Sequence, residues 1–82
     1  VNATAFDELA VALRERLAVI ADRELYQRDP AAHLEQLKAA SGRIDDASTA
    51  LPRPLPGDLA HYLQGRSYEK ALRWLEAHGH AG

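Results

Sequence analysis

The stretch Leu25–Leu34, LYQRDPAAHL, decides the fold of this chain. Asp29-Pro30 reads as a helix N-cap followed by proline at the first helical position. There the missing N–H costs nothing and the fixed φ suits a helix start. One helix therefore stops near Arg28 and another begins at Pro30. Almost no linker separates them, so the two are expected to fold back as an antiparallel αα-hairpin.

Upstream of that break, the spacing predicts a first helix over residues 4–28. Thr4 can cap it, and Asp7 and Glu8 in the first turn complement the helix dipole. At about 100° per residue, Phe6, Leu9, Leu13, Leu17 and Ile20 form one narrow stripe, flanked by Ala10 and Ala21. Val11, Val19 and Tyr26 fall elsewhere, among charged residues. They read either as isolated exposed residues or as a second contact face. Downstream, a second helix is predicted over 30–51. Its core positions are Leu34, Leu37, Ser41, Ile44, Ser48 and Leu51, and the two serines would let a neighbouring helix approach closely. Gly42, in the middle, costs about 1 kcal/mol relative to alanine. It permits a bend or a division into two pieces.

The segment LPRPLPG, Leu51–Gly57, carries three prolines at every second position and cannot continue a helix. It reads as a stiff connector. A polyproline ligand would space its prolines three apart. A short helix over 57–64 follows, with Leu59, Tyr62 and Leu63 on one side, Asp58 assisting its start and Gly65 ending it. Ser67 then caps a last helix over 67–78, where Tyr68, Ala71, Leu72 and Leu75 share a face and Glu69 and Arg73 form a four-spaced ion pair. Trp74 points off that face, either packed at the edge or serving as a binding anchor. The predicted architecture is all-α: one small helical bundle, a long antiparallel αα-hairpin covered by two short C-terminal helices.

Composition bounds the function. The chain has 82 residues, 46% apolar and 27% charged, which fits a single globular domain. A domain of this size buries only roughly 60–65% of its unfolded surface, so self-association is expected to help it. The net charge of −2 provides no broad basic field for nucleic acid. The apolar runs are too short to cross a bilayer, and no signal peptide is visible. Cysteine is absent, which fits a reducing compartment, and a cytoplasmic location is expected. The sequence starts at Val1 and contains no methionine, as after removal of an initiator or trimming from something longer.

Chemistry has little to build on. Without cysteine, nucleophilic catalysis would fall to serine or threonine, and these read as caps or small core positions. No glycine-rich phosphate loop is present. The carboxylates are scattered and mostly share helix faces with arginines. A zinc site needs three or four converging ligands. Of the histidines, His78 and His80 read as a polar tail beyond a helix end. His33 reads as a packed, hydrogen-bonded residue at the core edge. No catalytic residue, cofactor or metal ligand is expected.

Two short stretches resemble known families. LKAASGRI, Leu37–Ile44, resembles the part of histidine phosphotransfer domains that follows the phosphorylated histidine, and it implies a four-helix bundle and a signalling role. The histidine's own position in that motif falls on Glu35, and His33 lies two residues earlier, on a different helix face. AHYLQGRSYEKAL, Ala60–Leu72, resembles the turn region of one tetratricopeptide repeat, with tyrosine, glycine, then tyrosine and alanine. It has two residues between the glycine and the second tyrosine where that family usually has one, and no second copy follows the 34-residue period. This resemblance implies a helical hairpin.

The expected function is therefore non-catalytic: a small helical interaction module, as a homodimer or bound to another protein, with Val11, Val19, Tyr26 and Trp74 as partner-binding residues. The alternative is a phosphotransfer-like signalling module using His33.

Overall fold

The computed structural model describes residues 4–79. His80 lies outside the described residues. The helices are α1 (Ala5–Ala21), α2 (Arg23–Arg28), α3 (Pro30–Thr49), α4 (Gly57–Gln64) and α5 (Tyr68–Ala77), and no strand occurs among the described residues. The long helices α1 and α3 pack against each other, α5 lies on α1, and α4 lies on α5.

The starts of α1 and α3 follow from their capping residues. Thr4 Oγ1 accepts the Asp7 N–H at 3.1 Å, and the Asp7 carboxylate accepts the Thr4 N–H at 3.2 Å, a capping box with aspartate in the usual glutamate position. Asp29 Oδ1 accepts the Ala32 N–H at 3.1 Å, with Pro30 in the first turn of α3. Two cross-helix contacts fix the antiparallel register of α1 and α3. Glu15 pairs with Arg43 at 2.6 Å, and the Val19 carbonyl meets the His33 ring at 2.8 Å.

The expected first helix is in fact two. At Asp22 the backbone leaves the helical region, with φ −80° and ψ 76°. Asp22 ends α1 by donating its N–H to the Val19 carbonyl at 3.1 Å, and it starts α2 by accepting the Leu25 N–H on its carboxylate at 3.1 Å. In an unbroken helix the Val19 carbonyl would accept from residue 23. Here a tighter turn and the His33 ring take that place. Gly42 behaves in the opposite way, since α3 runs through it without interruption.

The core cluster holds Leu9, Ala10, Ala12 and Leu13 from α1, Ile44 from α3, Leu51 from the connector, Leu59 from α4, and Ala71, Leu72 and Leu75 from α5. Phe6, Leu17, Leu55, Tyr62, Leu63, Tyr68 and Trp74 pack around it. Among the described residues, no apolar side chain from 18 to 43 belongs to this cluster or is one of the partly buried ones packed against it. The last turn of α1, α2 and the first half of α3 thus form an arm beyond this cluster. Ile20 and Leu34, both expected in the core, are 46% and 50% exposed. Leu25 and Ala40, which the periodicity did not assign to the core, hold the arm together instead and are buried.

The α4–α5 hairpin occurs where the turn-like stretch implied one. Its turn, however, does not use Gly65 as expected. Gly65 has φ −83°, and the left-handed residue is Arg66, with φ 58°. Ser67 donates its N–H to the Tyr62 carbonyl at 2.8 Å and Arg66 to the Leu63 carbonyl at 3.2 Å, the paired bonds of a Schellman C-cap. Ser67 occupies the N-cap of α5, but its side chain makes no capping bond.

Candidate functional site

The sequence-predicted residues Val19 and Tyr26 come together at the arm, and His33 joins them. Its Nε2 lies 2.8 Å from the Val19 carbonyl. A carbonyl can only accept, so Nε2 carries the hydrogen and donates. The other side of the ring meets Tyr26 edge-on, with centroids 5.3 Å apart and planes at 77°. His33 thus ties the start of α3 to the end of α1 and to α2, which is a holding role. Val19 itself is half-buried. Tyr26 is 59% exposed, and with Ile20 and Leu34 it makes up three of the four large apolar residues exposed among the described residues. Their charged neighbours are largely paired within the arm: Glu24 with Arg28 at 3.3 Å and Glu35 with Lys38 at 3.9 Å.

Val11 lies elsewhere. It is 41% exposed and lines a groove of about 380 Å³ between α1 and α3. Ala12, Ala47 and Ala50 share its floor, and Asp7, Glu8, Glu15 and Asp46 stand along it. Trp74 is on another element again. It is half-buried against the core cluster and lines a cavity of about 370 Å³ with Tyr62, Lys70 and Arg73. His78, expected as part of a loose tail, is stacked on the Trp74 ring with centroids 3.9 Å apart, and its Nδ1 donates to the Trp74 carbonyl at 2.7 Å. The four predicted residues therefore belong to three surfaces.

α5 is clamped to α1 at two points. Arg14 pairs with Glu76 at 3.1 Å, and the Arg16 guanidinium sits 4.8 Å from the centroid of the Tyr68 ring. α5 also packs against α4, so it uses two faces. That is why Trp74, off the main apolar stripe, is still half-buried.

Sequence reasoning missed Ile20 and Leu34 as surface residues because both are in phase with the core stripe. The available signal lay in lengths. Helices of 8 and 10 residues span about 12 and 15 Å, against about 26 Å for α1 and about 30 Å for α3. The short pair cannot cover the long one.

Among the described residues no group of three or more histidine, cysteine or carboxylate side chains could hold a metal ion, and no helix is long and apolar enough to cross a membrane. No protein-family model matches the chain, and no significantly similar curated protein or solved structure was found.

Proposed function

We propose that this chain is a non-catalytic helical interaction module that presents the arm of α1, α2 and α3 to a protein partner. One observation carries the reading: Ile20, Tyr26 and Leu34 are 46–59% exposed on a segment that lies outside the core cluster. Large exposed apolar side chains on one segment suit a docking surface, because taking them out of water is favourable. Tyr26 is the natural anchor, a rigid aromatic with a polar tip. Val19 supports it from behind through His33.

The test is site-specific photo-crosslinking in the native cell. A benzophenone amino acid replaces Tyr26 on α2 or, as the control, Gln64 on α4. An adduct of defined mass is expected from position 26 and not from position 64. No adduct from position 26, or the same adducts from both, would overturn the reading.

A further inference from the structure

The chain carries two surfaces of opposite charge, neither of them on the arm. The groove between α1 and α3 has four carboxylates, Asp7, Glu8, Glu15 and Asp46, and one cation, Arg43. The lining thus carries a formal charge of −3. Arg43 is already held by Glu15 at 2.6 Å, so it does not offset Glu8 or Asp46. The floor beneath them is apolar, with Val11 exposed among the acids. The cavity on α4 and α5 is the converse. Its lining is Tyr62, Lys70, Arg73 and Trp74: two cations, two aromatic rings and no carboxylate. Arg73 pairs with Glu69 at 2.7 Å, but both side chains are about two-thirds exposed, and a pair so wet is readily exchanged for another carboxylate. Lys70 has no ion pair among the described residues.

We propose that the occupant of the acidic groove is a second copy of this chain, seated through its Trp74, Lys70 and Arg73. Lys70 and Arg73 would face Glu8 and Asp46, and the half-buried Trp74 indole, stacked on His78, would lie against Val11. The argument is charge complementarity carried within one chain. Opposite fields steer encounter and fix orientation, while the aromatic–aliphatic contact supplies burial. A two-fold pair makes this contact twice, and a head-to-tail chain makes it once per copy. The proposal extends the interaction reading to a second pair of surfaces and is tested separately from the arm.

The experiment is analytical ultracentrifugation of the purified full chain over a concentration series, at low and at high salt, with circular dichroism of every variant. Association is expected for the wild type, weakening as salt rises. Glu8→Lys with Asp46→Lys should weaken it at least about tenfold, and so should Lys70→Glu with Arg73→Glu, because each places like charges face to face. Mixing the two reversed proteins should restore association as a one-to-one hetero-complex. If a reversal impairs folding, Glu8→Gln with Asp46→Asn and Lys70→Gln with Arg73→Gln replace it, with smaller losses expected. A monomeric wild type at all concentrations overturns the proposal. So does association that survives the reversals, or that is lost only when Ile20, Tyr26 and Leu34 are changed to serine, which would move the contact to the arm.

Discussion

The two ends of the α1–α3 hairpin use the same kinds of residue for different ends. At the covered end Leu9, Leu13, Ile44, Leu59 and Leu75 are fully buried and interlock four elements. At the arm Ile20 and Leu34 continue the same helical stripes and stay half in water. The difference lies in what stands opposite. A leucine in phase with a stripe is buried only where another element reaches it, so the stability of this protein is concentrated at one end and its free apolar surface at the other.

The largest test of that contrast is a matched pair of truncations. Leu13→Ala should cost about 3–4 kcal/mol, since it empties a fully buried site, and Leu34→Ala about 0.5 kcal/mol or less. Urea unfolding followed by circular dichroism measures both. For a domain of this size total stability is on the order of 4–12 kcal/mol, so the first change alone brings a marginal fold near collapse. Equal costs would mean that the arm is as tightly packed as the covered end, and the comparison would fail.

The second test addresses how the arm is held. His33 donates one hydrogen bond and makes one edge-on aromatic contact. His33→Ala should cost about 1–2 kcal/mol. Hydrogen exchange should show the loss in the amides of α2, while those around Leu13 keep their protection. A loss spread evenly over all five helices would show that the arm and the covered end unfold as one unit.

These contrasts also explain what the sequence made legible. Helix starts were readable where a local device sets them, such as Thr4 with Asp7 or Asp29 with Pro30. The bounds of α4 were readable from Gly57 and Gly65. The break at Asp22 was not, because Ala21-Asp22-Arg23 holds neither glycine nor proline. Its one local mark is Asp22, which caps the Leu25 N–H but is a residue that helices also hold in their interior, and its other support is the His33 ring on the Val19 carbonyl, 14 residues away in sequence. Periodicity reports which way a side chain points around a helix axis and says nothing about how far along the axis a neighbour extends. Ile20 and Leu34 therefore looked like core, and Tyr26 could be recognised as a surface residue while its neighbours on the arm could not.

A third, smaller effect lies at the covered end, in the α4–α5 turn. Arg66 is held at φ 58°, a region that disfavours residues with a Cβ. Arg66→Gly should stabilise the protein by about 1 kcal/mol. Gly65→Ala should change stability by less than about 1 kcal/mol, because the backbone there is right-handed and the added Cβ would meet the His61 carbonyl oxygen no closer than 3.4 Å. Thermal unfolding of the two variants distinguishes this arrangement from the one the sequence suggests, in which Gly65 is the left-handed residue and the effects are reversed.

The smallest expected effect concerns the ion pair that joins α5 to α1. Arg14 and Glu76 meet at 3.1 Å with side chains 37% and 46% exposed. Water screens such a pair, so Glu76→Gln should cost about 0.5 kcal/mol or less, and the cost should shrink further at high salt. Urea unfolding at two salt concentrations checks this. The result bears on why α5 stays on α1. If Ala71, Leu72 and Leu75 hold it by burial, the charge is dispensable and the covered end remains intact. A salt-sensitive loss of more than about 2 kcal/mol would instead make α5 an electrostatically docked element, and the boundary between the rigid end and the arm would have to be redrawn to exclude it.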